Sequence, residues 1–263
     1  MDLGLKGKVA LVTAASKGIG LGTARVLANE GMKVAISSRS AANLEKARAQ
    51  IAEESGAEVL AVPADMTLRQ DLERLVESVS KKLGGVDVLV YNAGPPKAGT
   101  FGELTYPDWE EATKLLLLSA VTLTQAVVPH MKDNKWGRLI YITSLTLRQP
   151  IANLVLSNTV RLGIAGLSKS LSREFAPQGI TSNVIIQGYV RTDRMLHIVE
   201  ERAAKTGVTV DEAYKEMAKS IPLGRYAEPE EVGSLAAFIA SEKGAYLNGS
   251  VFTIDGGFVN SVF

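Results

Sequence analysis

Short apolar runs alternate with longer amphipathic stretches along most of the chain. Seven short runs predict strands at residues 9–13, 33–37, 58–62, 86–91, 137–142, 181–186 and 250–254. Six longer stretches predict helices at residues 19–30, 41–55, 68–83, 107–132, 154–176 and 229–241. Several of the strand runs are almost continuously apolar, as strands buried on both faces of a parallel sheet are. The alternation therefore predicts an α/β fold with a single, doubly wound parallel sheet of about seven strands and helices on both faces.

One segment departs from this alternation. Residues 193–220 are helical in composition but have no strand partner, and no linker rich in proline, glycine or serine separates them from the rest. We therefore predict one domain over residues 1–263. The segment follows the sixth strand, at the carboxyl edge where such sheets bind ligands. It is either a surface insertion or a helical lid over a substrate, and its position favours the lid.

Composition excludes several classes of function. The chain has 263 residues, of which 46% are hydrophobic and 22% charged, and its net charge is only +1. These values are typical of a soluble globular protein, and they show no excess of basic residues that would indicate nucleic-acid binding. There is no cysteine and there are only two histidines, so we expect neither disulfides nor a metal site.

Two apolar stretches bear on a membrane or export signal. The apolar run 9–12 follows two lysines, but it leads directly into a glycine turn, so a buried strand is the better interpretation than a signal peptide. Residues 115–128 form the longest apolar stretch, which includes several hydroxyl and amide side chains and which we judge too short and too polar to span a bilayer. We expect a cytoplasmic protein with no membrane partner.

A glycine-rich turn follows the first predicted strand and opens the first predicted helix. Its sequence is Thr13-Ala14-Ala15-Ser16-Lys17-Gly18-Ile19-Gly20. Glycine allows the backbone to turn tightly and to approach a pyrophosphate, while the helix N-terminus offers free N–H groups to its charge. A glycine cluster alone is weak evidence, but its position in a strand–turn–helix unit indicates a dinucleotide site.

The end of the second strand bears on which dinucleotide is bound. The strand ends without a carboxylate and continues into Arg39, and Lys17 in the glycine turn could add a second positive charge. An acidic residue at this point would favour NAD, whereas an arginine accommodates the 2′-phosphate of NADP. Both cations could also be ordinary surface residues. We predict NADP(H) as the cofactor, with NAD(H) as the alternative.

These motifs together resemble those of the short-chain dehydrogenase/reductase family, and especially its 3-oxoacyl reductase-like members, from about residue 5 to residue 257. Besides the glycine turn they include Asp65, Asn92-Ala93-Gly94 and Asp255-Gly256-Gly257. The resemblance implies a Rossmann-type fold in which Asp65 contacts the adenine and Asn92 braces the sheet beside the cofactor. The cofactor-binding residues expected from the motifs and the resemblance are Thr13, Ser16, Lys17, Gly18, Ile19, Gly20, Arg39, Asp65, Asn92, Ala93, Gly94, Gly188 and Thr192.

The catalytic positions depart from the family pattern. The resemblance implies a serine, a tyrosine, a lysine four residues after it, and an upstream asparagine. The chain keeps the serine as Ser144, but it has Ser157 and Arg161 at the tyrosine and lysine positions and Leu116 at the asparagine position. Serine is a much weaker acid than a phenol, whose pKa is about 10. We take Ser144, Ser157 and Arg161 as the candidate catalytic residues.

Three other side chains could take part in the chemistry. Tyr189 follows Gly188 near the expected cofactor, Arg148 follows Ser144 by four residues, and His197 lies in the predicted lid. Each has an equally ordinary structural interpretation as a packed or solvated residue.

Three hypotheses about function remain at this point. The first is an NADP(H)-dependent oxidoreductase of the short-chain dehydrogenase type, which transfers hydride to a ketone or 3-oxoacyl-like carbonyl, or oxidises the alcohol, through an atypical active site. The alternatives are a catalytically impaired sensor that binds NADP(H) without turnover and a partner subunit. The apolar residues Leu115–Leu118 make their helix apolar on most sides, which predicts a homo-oligomer, either a dimer or a tetramer.

Overall fold

The seven strands of the protein form one parallel sheet in a computed structural model that describes residues 1–262. The strand order is β3-β2-β1-β4-β5-β6-β7, and every neighbouring pair is parallel. The strands are β1 Val9–Val12, β2 Lys33–Ser38, β3 Val59–Pro63, β4 Val88–Tyr91, β5 Gly137–Ile142, β6 Ile180–Gln187 and β7 Val251–Ile254. The predicted doubly wound sheet is confirmed.

Helices cover both faces of this sheet. One face carries α1 Gly18–Asn29, α2 Ala41–Ser55 and α9 Pro229–Ala240, and the other carries α3 Arg69–Leu83, α4 Tyr106–Thr113, α5 Ser119–Asp133 and α6 Val155–Glu174. Two further helices, α7 Asp193–Thr206 and α8 Val210–Ala218, follow β6.

Strand β1 shows why the sequence pattern specifies this architecture. All four of its residues are buried, and their side chains alternate between the two hydrophobic cores on either side of the sheet. Leu11 pairs with Ala35 on one neighbour and with Leu89 on the other. A strand buried on both faces has no solvent side, so its sequence is apolar throughout.

Most predicted boundaries differ from the observed ones by one or two residues. At β4 the cause is a side chain: Asp87 Oδ2 accepts a hydrogen bond from the backbone N–H of Val9 at 2.8 Å. The strand ladder therefore begins at Val88 instead of residue 86.

The helix predicted at residues 107–132 is one continuous helix, Tyr106–Asp133, with a π-helical turn at Lys114–Leu118 that the sequence did not predict. With 28 residues and a mean hydropathy of 1.4 in its most apolar window, it meets the length and composition of a membrane-spanning helix. The apolar stretch 115–128 is thus part of a helix that is long enough to span a bilayer. This is weak evidence for a membrane segment, because 44% of the window is buried in the protein and core helices of soluble proteins have the same properties.

Helices α1 and α9 pack against each other at very short range. A Cβ on Gly22 would lie 2.5 Å from Cβ of Pro229, and a Cβ on Gly233 would lie 2.9 Å from Cα of Thr23. Arg25 adds an ion pair across the contact, with its Nη1 2.6 Å from Oε1 of Glu230. The glycines thus allow the two helix backbones to touch directly behind the glycine-rich turn.

The segment predicted as a lid consists of two helices, α7 and α8, with a small hydrophobic cluster of their own. The cluster includes Val199, Ala203 and Ala213, and it also contains Ile221 and Tyr226 from the following loop. The Thr209 hydroxyl and the Glu212 carboxylate form a capping box that begins α8. Movement of these helices as a lid stays a prediction.

Candidate functional site

The predicted site residues converge on a cavity of about 320 Å³ at the carboxyl ends of β4, β5 and β6. Such a position, next to the point where the strand order reverses between β1 and β4, is where open α/β sheets bind ligands. Of the predicted residues, those that line the cavity are Ile19, Asn92, Ala93, Ser144, Ser157, Arg161, Gly188 and Thr192. The others lie in the glycine-rich turn, at the ends of β2 and β3, or next to the lining.

Hydrogen bonds to two neighbouring strands hold the glycine-rich turn. The Thr13 hydroxyl donates to the carbonyl oxygen of Asn92 at 2.7 Å and accepts from the Asn92 N–H at 2.9 Å. The Ala15 N–H donates to the carbonyl of Ser37 at 2.9 Å. The Asn92 amide also reaches the carbonyl of Ala14 at 3.5 Å. Asn92 therefore holds the glycine-rich turn against the end of β4; its expected place beside a cofactor stays a prediction.

Backbone conformation explains the small residues in this turn. Gly18 has a φ of +58°, and Ala14 has a φ of +48° although it carries a side chain. A Cβ on Gly20 would overlap the carbonyl of Ala14 and approach Cα of Ala15 to 2.8 Å. Gly20 is therefore required by close packing, whereas Ala14 holds a conformation that favours glycine.

The N-terminus of α1 is suited to a phosphate group. Lys17 stands at the N-cap in an extended conformation, makes no capping hydrogen bond through its side chain, and is exposed. The first turn of the helix contains no acidic residue. The first backbone N–H groups of a helix have no partner within it, so here they are available to an anion. This arrangement fits the pyrophosphate of a dinucleotide.

The end of β2 fits the adenosine side of such a cofactor. The hydroxyls of Ser37 and Ser38 are buried and have no hydrogen-bond partner within residues 1–262. Arg39 is exposed beside them. Asp65, after β3, uses one carboxylate oxygen to accept from the N–H and the hydroxyl of Thr67 at 2.8 and 2.7 Å. Buried hydroxyls without partners are uncommon in folded proteins and suggest a ligand-binding role.

The three candidate catalytic residues are joined by hydrogen bonds through a fourth residue, Thr146. The Thr146 N–H donates to the Ser144 hydroxyl at 3.4 Å, and the hydroxyls of Thr146 and Ser157 lie 3.3 Å apart. Arg161 Nε donates to the Ser157 hydroxyl at 3.1 Å, and its Nη2 donates to the carbonyl of Gly94 at 3.4 Å. Strand β5 and helix α6 thus bring Ser144, Ser157 and Arg161 together as predicted.

Arg161 is a buried cation, with only 6% of its surface exposed. Burial lowers the pKa of its guanidinium, the Tyr91 phenol opposes this shift, and the positive charge of Arg194 adds to it. An arginine remains protonated in proteins even so, because its pKa lies above about 12 in water. The site therefore holds a permanent positive charge beside the Ser157 hydroxyl.

The Tyr91 hydroxyl bonds to the backbone at Leu116, the residue at the position where the resemblance implies an asparagine. This hydroxyl lies 2.7 Å from the carbonyl oxygen of Leu116, 3.0 Å from that of Leu115 and 2.8 Å from the hydroxyl of Ser119. These carbonyls belong to the π-helical turn, and the Leu116 side chain is fully buried in the core. Burial raises the pKa of Tyr91 to about 12. The phenol is therefore a structural hydrogen-bonding group and not an acid near neutral pH.

Of the three other candidate residues, Tyr189 lines the cavity and His197 and Arg148 do not. Tyr189 lines the cavity, while its ring packs edge-on against Tyr226 and Phe258. The His197 side chain is 71% exposed on α7, beside two glutamates, and Arg148 is not part of the cavity lining. His197 and Arg148 are thus surface and loop residues.

Sequence reasoning missed Thr146, Tyr91 and Arg194. Tyr91 directly precedes the Asn92 motif, which could have drawn attention to it. Thr146 and Arg194 carry no sequence signal, since only the fold brings Thr146 next to Ser157 and Arg194 to the cavity. Within residues 1–262 no group of three or more histidine, cysteine, aspartate or glutamate residues could hold a metal ion.

Comparison with known proteins agrees with this fold and site. The family model described as enoyl-(acyl carrier protein) reductase matches residues 13–259. The 3-oxoacyl-[acyl-carrier-protein] reductase of Aquifex aeolicus is 32% identical over 257 residues, which cover 98% of this chain and 99% of the relative. The chain therefore belongs to the short-chain dehydrogenase/reductase family of oxidoreductases.

Two other relatives are similar over almost their whole length. The D-beta-hydroxybutyrate dehydrogenase of Cupriavidus necator is 34% identical, with 97% of this chain and 99% of the relative covered. The crystal structure of L-sorbose reductase from Gluconobacter frateurii, complexed with NADPH and L-sorbose, superposes with a TM-score of 0.96 at 31% identity over 100% of both chains. Both relatives carry names of carbonyl or alcohol oxidoreductases.

Proposed function

We propose that this protein is an NADP(H)-dependent oxidoreductase that reduces a ketone or 3-oxoacyl-like carbonyl of a small molecule, or oxidises the corresponding alcohol. The observation that carries the proposal is the hydrogen-bonded series from Ser144 through Thr146 and Ser157 to Arg161, in a cavity next to the glycine-rich turn. The names of the relatives, which include a 3-oxoacyl reductase and a structure with NADPH, support it.

The cofactor would be held mainly by backbone groups. The first N–H groups of α1 would bind its pyrophosphate, and Asp65 and Asn92 would lie beside its adenine and its nicotinamide half. Lys17 and Arg39 would bind the 2′-phosphate, because no carboxylate at the end of β2 opposes that charge. When bound, the cofactor supplies the hydride.

The side chains of the site have distinct tasks in the proposed reaction. The hydroxyls of Ser144 and Ser157 donate hydrogen bonds to the substrate carbonyl oxygen. The Ser157 oxygen already accepts from Arg161 Nε, and when the Thr146 hydroxyl also donates to it, the Ser157 proton is directed to the substrate. The Arg161 charge stabilises the negative charge that develops on the substrate oxygen, which finally takes its proton from solvent through Ser157. The lack of a phenolic acid slows the reaction by about 10²–10⁴-fold, but does not abolish it.

Calorimetric titration with NADPH and NADH tests the cofactor assignment. Replacement of Arg39 by Asp should weaken NADPH binding by about tenfold to hundredfold, which corresponds to the loss of a charge-assisted hydrogen bond, and leave NADH binding unchanged or tighter. Lys46→Asp is the matched control, because Lys46 is an exposed cation on α2 and the net charge changes equally. Equal affinity of the native protein for NADH and NADPH would contradict the assignment.

Turnover is tested by NADPH oxidation with a panel of ketones. Ser144→Ala should lower kcat by about 10²-fold, as expected for the loss of one donor to the substrate oxygen. Ser170→Ala is the control, since Ser170 is exposed and its hydroxyl bonds only to the carbonyl of Gly166 within its own helix. Binding of NADPH without turnover of any ketone would favour the sensor hypothesis. In that case the triple variant Ser157→Tyr, Arg161→Lys, Leu116→Asn should gain activity.

We also propose that the chain forms a homo-oligomer, either a dimer or a tetramer. Leu118, at the π-helical turn, is 49% exposed, and Leu162 on the adjacent helix α6 is 52% exposed. Burial of these side chains against a second copy would remove their apolar surface from water. A monomeric mass by light scattering would contradict this proposal. A cytoplasmic location stays a prediction.

A further inference from the structure

Arg161 is a buried charge without a counter-charge. Its guanidinium donates to the Ser157 hydroxyl and the Gly94 carbonyl, both of which are neutral. Among residues 1–262 it forms no ion pair with an aspartate or glutamate. Buried charges in proteins are normally paired, since removal from water carries a large free-energy cost. An arginine that is 94% buried and lines the cavity therefore lacks the partner that would stabilise it.

A second arginine increases the positive charge of the same cavity. Arg194 lies in the first turn of α7, lines the cavity, and has no hydrogen bond or ion pair within the described part of the chain. It is close enough to act electrostatically on Arg161. The described lining contains no aspartate or glutamate, and Asp193, next to Arg194, is exposed and outside the lining. Two arginines thus face one small cavity with no protein anion between them.

We propose that the substrate is a small oxo acid or hydroxy acid whose carboxylate binds between Arg161 and Arg194. This substrate class rests on the proposed oxidoreductase function. A carboxylate fits because it is planar and can accept two parallel hydrogen bonds from one guanidinium. Arg161 also contacts Ser157, which places the carboxylate next to the reacting carbonyl. The geometry therefore favours a 2-oxo or 3-oxo acid over a long-chain acyl group.

Oxo acids and their methyl esters, used as paired substrates, separate recognition of the carboxylate charge from reactivity of the carbonyl group. The rates of 2-oxobutanoate and 3-oxobutanoate reduction are compared with those of their methyl esters, which are uncharged. We expect the acids to have a kcat/KM about tenfold or more above the esters, as for one charge-assisted interaction. Arg194→Gln should remove this preference, because the KM for the acids rises by more than the KM for the esters. Arg202→Gln, an exposed change on the same helix, is the matched control.

A binding measurement without turnover complements the kinetics. Calorimetry with pentanoate, which has no ketone, should show heat of binding to the native protein, whereas the neutral pentanamide should show none. Arg161→Gln and Arg194→Gln should each abolish the pentanoate signal, and Arg161→Lys should restore part of it, because the charge is kept and the bidentate geometry is lost. Circular dichroism confirms that the variants are folded, and Arg194→Gln, at an exposed position, keeps the test valid if Arg161 variants unfold.

The outcomes distinguish this inference from the function on which it rests. Equal use of acids and esters, or equal loss of both in Arg194→Gln, would overturn the carboxylate site while the oxidoreductase function stands. Failure to reduce any carbonyl compound, with pentanoate still bound through the arginines, would instead overturn the oxidoreductase function. Absence of pentanoate binding together with good turnover of neutral ketones would also reject the carboxylate site.

Discussion

The two halves of the site are built in different ways. On the cofactor side, the glycine-rich turn and the start of α1 present backbone N–H groups, and small residues are there because larger ones do not fit. On the substrate side, strand β5 and helix α6 present side chains, namely Ser144, Ser157 and Arg161, in one hydrogen-bonded series. The first half keeps the motifs of the family pattern, whereas the second has exchanged three of the four expected side chains, at Ser157, Arg161 and Leu116.

This contrast shows what each half can tolerate. A backbone site depends on the path of the chain, so it survives most substitutions that do not add volume. A side-chain site can change its chemistry by single substitutions while the fold around it stays the same. The hydrogen-bonded series ends in Arg161, whose fixed charge replaces a group that titrates. Under the proposed function, the substrate half relies on stabilisation by charge where the family pattern has proton donation by an acid.

The largest effect of these variants is expected in the cofactor half, on NADPH affinity in Gly20→Ala. In Gly20→Ala, the new methyl group meets the Ala14 carbonyl and Cα of Ala15, so the turn has to move, at an overpacking cost of about 1–3 kcal/mol. NADPH affinity by calorimetry should fall about tenfold or more, because the N–H groups lose their alignment. The control is Gly166→Ala on α6, where a Cβ meets nothing within 4 Å. Unchanged affinity in Gly20→Ala would show that the turn is not held by packing.

A smaller effect is expected in the substrate half at Tyr91. The Tyr91→Phe variant leaves the carbonyls of the π-helical turn without their phenolic donor, which should lower the free energy of unfolding by about 1–3 kcal/mol. Thermal or urea unfolding measures this loss. Tyr106→Phe is the control, because Tyr106 is 77% exposed. Equal stability of the two variants would contradict a structural role for the Tyr91 hydroxyl.

The titration of the buried Tyr91 phenol should make the stability of the protein depend on pH. Burial raises the pKa of Tyr91 to about 12, while an unfolded tyrosine titrates near 10. The phenol is protonated in both states below pH 10, so its contribution is complete there. Between pH 10 and about 12 the unfolded state loses the proton first, and stability decreases as the pH rises. Tyr91→Phe should make this decrease of stability with pH less steep. Part of the decrease should remain, because burial also raises the pKa of Tyr141.

The smallest effect concerns Ala14, in the cofactor half. A residue with a side chain in the left-handed conformation carries a cost of about 1–2 kcal/mol. Ala14→Gly removes this strain, but glycine gives up about 0.5–1 kcal/mol of backbone entropy on folding. The net gain in unfolding free energy should thus lie between about 0 and 1.5 kcal/mol. Ala15→Gly, at a φ that is not positive, should destabilise the protein instead, and a gain there would argue against the strain at Ala14.

The sequence was sufficient to predict the sheet, because all seven strands are marked by apolar runs. The five inner strands are mostly buried, and the edge strands β3 and β7 are only partly buried. It also predicted that Ser144, Ser157 and Arg161 meet, since the count along α6 stays in register. Boundaries were less certain where a side chain replaces a ladder hydrogen bond, as Asp87 does before β4.

Other features depend on contacts between distant parts of the chain. The π-helical turn is bonded to Tyr91, which lies on β4 before the helix, and helical periodicity contains no sign of such a contact. The isolation of Arg161 is likewise invisible in sequence, because a missing partner can be recognised only when all neighbours are known. Thr146 and Arg194 enter the site through loop and helix geometry alone.

The contact between α1 and α9 has a consequence for how the protein comes to be made. Residues 30–228 separate the two helices, so the ribosome releases the glycine-rich turn long before the helix that supports it from behind. Gly22 and Gly233 can touch their partners only after α9 has emerged. The packing that supports the glycine-rich turn from behind is therefore completed late in synthesis, after the rest of the sheet apart from β7 has been made.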